Sequence, residues 1–366
     1  MKRFELGMSI NYASNWGVVD AVREFFQNAL DEEIENSENK MFIKHEGNVL
    51  SIGNKKSKLK PSSLLLGASS KKDKGYLIGE HGEGYKVATV VLMRNGITVR
   101  IYNNENKEVW TSKVVNSRRY DSEIVVFDIE KKLFNKDCDL VIELDGITED
   151  MYSEVVESNL HLRDDVLKYK ESKDGRVLLD SQFKGNVYVN GLYVCNKDSL
   201  DWGYDFKPGI LKLDRDRGLV DTFDLKFAIA GMISKIKDVD FIANNIKSND
   251  FQFIASRMRI FSESDMSDKL SDKVYSDFTE EHGYDAIPVK TSSEFNSYKS
   301  LGYDNIVMVE DQVYETINNK KRNYTPEIND IEREFLDWYE KAIDFLPTSL
   351  SDEILNIWRK KDKVNE

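Results

Sequence analysis

The sequence predicts an α+β fold, an antiparallel or mixed sheet covered by helices on one face, and three observations carry that expectation. Residues 18–35, VVDAVREFFQNALDEEIE, repeat apolar side chains at helical spacing. A second apolar run, KVATVVLMR, follows a glycine-containing stretch and reads as a helix that starts near Gly84. Strand-like segments then succeed one another from residue 97 to residue 146. Helix, strand, loop, helix and a run of strands is the order of a sheet with helices on one side.

The chain has 366 residues, enough for two or three domains. Hydrophobic residues make up 40% and aromatics 11%, ample for cores, and 32% charged residues solvate the surface. With a net charge of -13 and a pI near 5.1, the chain as a whole repels phosphate backbones. Nucleic acid would need a local basic patch, and Lys55 to Lys60 is a short stretch that reads better as a solvated loop. Cys138 and Cys195 form no close pair, and the four histidines are scattered. Neither a zinc site, a histidine metal site nor a disulfide framework is expected. The start MKRFELGMSI lacks the apolar run of a signal peptide, and no segment approaches 18 apolar residues. A cytoplasmic location and no membrane partner are the expectations.

In chain order, Val18, Val22, Phe25, Phe26, Ala29 and Leu30 form the apolar stripe of the first helix. Residues 41–52 read as a strand, 62–67 as a short helix and 68–84 as a glycine-containing loop. After the second helix come strands at 97–103, 109–115, 123–129 and 140–146. The next 30 residues are charged and read as helical, strands resume at 186–194, and FDLKFAIAGMISKI reads as a helix. Residues 286–311 read as strand, helix, strand, and a break at Tyr324-Thr325-Pro326 precedes a helical region with Trp338 and Trp358. The expected domains are 1–150, 151–240 and 241–366, the last an interaction module without a nucleophile or metal constellation.

Two features carry chemistry. At 100° per residue, Glu24, Asn28, Asp31 and Glu35 share one face of the first helix, opposite its apolar stripe. Such a face is either solvated or turned to a ligand. A carboxylate can orient or deprotonate a water, and an amide oxygen can ligate a hard cation without adding negative charge beside phosphates. One helical turn separates the two jobs by about 6 Å. The second feature is Gly79-Glu80-His81-Gly82-Glu83-Gly84, followed by Tyr85 and Lys86 at the start of an apolar helix. Glycines admit close backbone approach, and free N–H groups at a helix start attract anions. It is neither the dinucleotide fingerprint nor a Walker loop. Upstream, Ser70 and Lys71 within Gly67 to Lys72 suit either a phosphate-contacting lid or an exposed turn.

Together these boxes, E-x-x-x-N-A-x-D (Glu24, Asn28, Ala29, Asp31), G-x-S-S-K (Gly67 to Lys71) and G-x-x-G-x-G (Gly79, Gly82, Gly84), resemble the GHKL ATPases. That superfamily includes gyrases, MutL proteins, ninety-kilodalton heat-shock chaperones and histidine kinases, and the resemblance covers about residues 15–145. It implies a Bergerat-type sandwich followed by a smaller transducer-like α/β domain and a C-terminal α/β to helical region. It also implies ATP and Mg2+ as ligands, Glu24 as general base and Asn28 as the magnesium ligand. The glycine loop, with Glu83, Tyr85 and Lys86 beside it, would hold the phosphates, and Ser70 and Lys71 would belong to the lid. Asn54 stands where the family places an adenine-binding Asp, and Lys56 replaces the glycine after it. An amide oxygen still accepts from an adenine amino group, without the charge. Leu213-Asp214-Arg215-Asp216-Arg217 resembles the chaperone motif that brings an Arg to the terminal phosphate. Arg217, or alternatively Arg215, is the candidate sensor, and a surface salt-bridge cluster is the competing reading.

The expected function is slow Mg-dependent ATP hydrolysis whose lid closure, or nucleotide-dependent homodimerisation, gates an unknown protein partner. The alternative is a nucleotide-binding switch or scaffold without hydrolysis. A histidine-kinase activity fits less well, because no acceptor-histidine helix precedes the domain.

Overall fold

The computed structural model describes residues 1–60, 84–213, 222–251, 254, 264–320, 335, 338–347, 349–351 and 353–355. The chain divides into two compact units, residues 1–228 and 229–366.

The first unit is built on a seven-stranded sheet in the order β1-β6-β5-β4-β7-β3-β2. Its strands are β1 (Lys2–Ser9), β2 (Met41–Glu46), β3 (Val49–Asn54), β4 (Thr98–Asn103), β5 (Glu108–Ser117), β6 (Ser122–Lys131) and β7 (Leu140–Asp145). Every pairing in it is antiparallel. The fold class is therefore α+β, as the order of sequence segments predicts. The register aligns apolar side chains across five strands: Ile52 with Ile142, Ile142 with Ile101, Ile101 with Trp110, and Trp110 with Ile129. That row is buried in one core with α1 (Val18–Glu35) and α2 (Gly84–Arg94), and α3 (Glu149–Glu157) packs on α1. Each such side chain contributes about 1.5–3 kcal/mol of burial free energy.

Residues 41–54 depart from the single strand expected over 41–52. They form a hairpin, turned at Gly47, whose φ of +59° suits glycine. Helix α1 starts where the Gly17 N–H donates to the Asp20 carboxylate at 3.0 Å, an acidic group at the positive helix end. Its stripe of Ala21, Val22, Phe25, Phe26 and Ala29 is fully buried.

The charged stretch after residue 147 is helical only over α3 and a short 3-10 turn at Leu160–Leu162. It then forms a hairpin, β8 (Tyr169–Ser172) and β9 (Gly175–Leu178), which corrects the helical expectation. Strand β8 is the edge of a second sheet, ordered β11-β10-β12-β9-β8, so its polar side chains face water. The other members are β10 (Asn186–Val189), β11 (Leu192–Asn196) and β12 (Gly203–Phe206). The expected strand over 186–194 is a hairpin with Asn190 and Gly191 both at positive φ, the tight turn that Asn-Gly favours.

On the sheet face away from the helices, Asp128 accepts from Arg3 Nε at 2.8 Å and from Lys113 Nζ at 2.9 Å. These two donors hold its carboxyl down at about 2. A depressed carboxylate stabilises the fold above its unfolded value and loses that contribution as pH falls through the folded value. Asp128→Asn should therefore flatten the fall in stability between about pH 4 and pH 2. Urea unfolding at pH 5 and pH 3 tests this; equal pH sensitivity in both proteins would refute it.

Helix α4 (Thr222–Ile233) crosses into the second unit. That unit adds α5 (Val239–Asn244), α6 (Ser264–His282), β13 (Ile287–Val289), α7 (Ser292–Ser300), β14 (Ile306–Met308) and α8 (Asp311–Ile317). Strands β13 and β14 pair in parallel around α7, the strand–helix–strand unit expected there. Thr291 caps α7 by accepting from the Glu294 N–H at 3.1 Å. Ser271 Oγ in α6 donates to the Ile317 carbonyl at 2.8 Å, tying α6 to the end of α8. Trp338 is half exposed, and Trp358 lies outside the described residues. No described helix is long and apolar enough to cross a membrane.

Candidate functional site

The polar face of α1 is not a solvated one along most of its length. Glu24 is 3% exposed and Asp31 0%, Asn28 is partly buried, and Glu35 alone of the four lies in water. Gln27, on the same side, is 1% exposed. Two buried carboxylates carry a desolvation cost that a structure retains only where compensation is supplied.

Helix α2 supplies the other wall. The Phe25 and Tyr85 rings meet edge to face at 5.3 Å and set the two helices together. This brings Gly84, the first residue of α2, onto the Glu24 carboxylate. A Cβ added at Gly84 would collide with Glu24 Oε2 and lie 3.7 Å from Asn28 Nδ2. The Asn28 Nδ2 donates to the Glu24 carbonyl one turn back at 2.7 Å. That bond fixes the amide, so its oxygen is the end left for a ligand. Lys86, two residues into α2, is 0% exposed. The Tyr85 phenol is pushed well above its ordinary range by burial, then by the Glu32 and Asp31 charges.

Asn54 ends β3 and is 1% exposed. Its Nδ2 donates to the Ala29 carbonyl of α1 at 2.8 Å and to the Asn39 carbonyl at 3.1 Å. Asn39 Oδ1 in turn accepts from the Lys56 N–H at 2.8 Å, and Ser57 Oγ donates to Glu32 at 3.3 Å. Both protons of the Asn54 amide are thus committed to backbone, which leaves its oxygen as acceptor. Gly53 beside it is required by packing, since a Cβ would strike the Leu140 carbonyl and the Phe42 ring. Asn54→Asp would set a carboxylate against two carbonyls and remove both amide bonds. We expect a loss of about 3 kcal/mol in urea unfolding at neutral pH. A variant as stable as the wild type would show that the two amide bonds contribute nothing.

The structure thus brings Glu24, Asn28, Gly84 and Tyr85 to one α1–α2 interface, buries Lys86 on α2, and places Asn54 against α1 one residue beyond Asn28. Ser70, Lys71, Gly79, Gly82, Glu83, Arg215 and Arg217 lie outside the described residues, as do the short helix expected at 62–67 and most of the glycine loop.

No family model matches the chain. An uncharacterised protein of Mycoplasma pneumoniae is 24% identical over 208 residues, 55% of this chain and 83% of that protein. That likeness brings a relative but no activity.

Sequence reasoning missed Arg94. From the end of α2 its guanidinium donates to the carbonyls of Tyr12 at 3.0 Å, Ala13 at 3.1 Å and Trp16 at 2.9 Å. It ties the turn that leads into α1 to the helix that carries Gly84. A basic residue in the last turn of a helix was the one available signal, and it points to a helix end rather than to a clamp. Chemically, the α1–α2 interface joins the Glu24 carboxylate and the Asn28 amide to the first described residue of α2, groups able to meet a phosphorylated ligand with a hard cation.

Proposed function

We propose that this chain binds ATP with Mg2+ in a GHKL-type pocket and hydrolyses it slowly, its closure or homodimerisation gating a protein partner. The observation that carries the reading is the close approach of Gly84 to Glu24 and Asn28, because it joins two sequence boxes 56 to 60 positions apart in the way a phosphate site requires. The Asn28 amide supports it independently, since its nitrogen donates to the Glu24 carbonyl within α1 and its oxygen is the acceptor end.

In this reading Glu24 accepts a proton from a water whose oxygen attacks the γ-phosphorus. The bond from that phosphorus to the bridging oxygen breaks, and ADP leaves with the electron pair. Magnesium would supply charge neutralisation to the phosphates, and Asn28 Oδ1 is the side-chain atom that would hold it. The Gly84 end of α2 faces the phosphates, which the resemblance assigns to the glycine loop. Asn54 Oδ1 accepts from the amino group of the base. Ser70 and Lys71 act as the lid, and Arg217 senses the terminal phosphate.

The test is phosphate release from ATP with and without Mg2+, beside thermal stabilisation by the nucleotide. Mg-dependent release is expected. A protein that neither releases phosphate nor is stabilised by ATP would overturn the proposal.

A further inference from the structure

We infer that Gln27 is a water-positioning residue, its Oε1 holding the molecule that Glu24 activates. The inference rests on the reading of the site as an ATPase. Gln27 is 1% exposed although it lies across α1 from the apolar stripe of Phe25, Phe26 and Ala29. Its Oε1 is buried and accepts no hydrogen bond among the described residues. Buried amide oxygens are nearly always paired, and one left open is accounted for when a donor arrives with the ligand. Gln27 stands three residues after Glu24, so their side chains are neighbours on the helix surface, about 5–6 Å apart at Cβ.

The chemistry favours an amide at this place. An attacking water has two O–H groups, and a single carboxylate contact leaves it free to rotate. With one O–H donating to Glu24 and the other to Gln27 Oε1, a lone pair is directed at the phosphorus. The first proton passes to Glu24 as the new P–O bond forms and the bond to ADP breaks; the second stays on the phosphate released. A glutamine does this without adding a third negative charge beside Glu24 and Asp31.

The experiment is steady-state ATP hydrolysis by the full chain, comparing wild type, Gln27→Met, Gln27→Glu and Glu24→Ala, with MgATP stabilisation measured on each. Methionine keeps the volume and removes the acceptor. It should lower kcat about 10²-fold with KM within about twofold, and glutamate, which keeps an acceptor oxygen, should recover part of that loss. A merely structural role would move stability and KM together and would not respond to the glutamate. A kcat for Gln27→Met within about twofold of wild type, or no recovery with Gln27→Glu, overturns the inference. If Gln27→Met does not fold, Gln27→Glu decides alone: a rate nearer to wild type than to Glu24→Ala upholds it, and a rate equal to Glu24→Ala sinks it. Failure of the underlying reading looks different: wild type and Glu24→Ala then release phosphate at the same background rate.

Discussion

Glu24→Ala should lower kcat for Mg-dependent phosphate release by about 10²–10⁴-fold, the usual contribution of a positioned general base. Binding should survive, because the nucleotide contacts assigned to Asn28, Asn54 and the α2 start do not pass through this carboxylate. Saturating MgATP at about 100 times Kd should still stabilise the variant by about 2.7 kcal/mol. The two readouts separate three outcomes. Lost turnover with retained stabilisation supports the role of Glu24. Retained turnover assigns the base elsewhere. Lost stabilisation makes Glu24 part of the fold of the pocket, a real alternative for a carboxylate that is only 3% exposed. Glu24→Gln controls for it by keeping the volume and removing the base.

Sheet and helices of the first unit were legible where local pattern and tertiary burial agree. Helix α2 is described over Gly84–Arg94, where the apolar run predicts a helix, and β4 to β7 fall within a few residues of their apolar, β-branched stretches. Agreement ended where tertiary context overrides composition. Strand β1 carries Lys2, Arg3 and Glu5, whose charge hides the alternation of buried Leu6 and Met8. Strand β8 reads as helix because an edge strand is polar along its length, and β9 has only Val177 and Leu178 as apolar positions, too few to show an alternation. Helix α6, SDMSDKLSDKVYSDFTEEH, shows few apolar positions, although Leu270, Val274 and Phe278 are buried at helical spacing. At the site, Glu24 and Asn28 were legible because one turn of one helix holds both. The commitment of the Asn54 amide was not, since its acceptors stand 25 and 15 positions away. Nor was the Arg94 clamp, which reaches back 78 to 84 positions.

Gly84→Ala should separate stability from activity more sharply than any other change in this chain. Replacing glycine by alanine at a backbone conformation alanine can adopt stabilises by about 0.4–1 kcal/mol through the unfolded chain, so on backbone entropy alone the variant should be at least as stable as the wild type. The added Cβ, however, meets Glu24 Oε2 at a distance that real atoms do not adopt, with Glu24 Cδ at 3.4 Å. The obstacle is the end of a flexible side chain rather than backbone. The cheapest relief is therefore a swing of the carboxylate, which leaves both helices in place. A base displaced by about 1 Å can lose about 10² in rate. The expected result is a thermal midpoint equal to or above that of the wild type, with phosphate release reduced about 10²-fold. A midpoint that falls by several degrees would mean that the helices part instead and that Glu24 is held rigidly by its surroundings. Unchanged turnover with an unchanged midpoint would mean that the carboxylate has another productive position, and Gly84 would then serve the nucleotide's approach rather than the base.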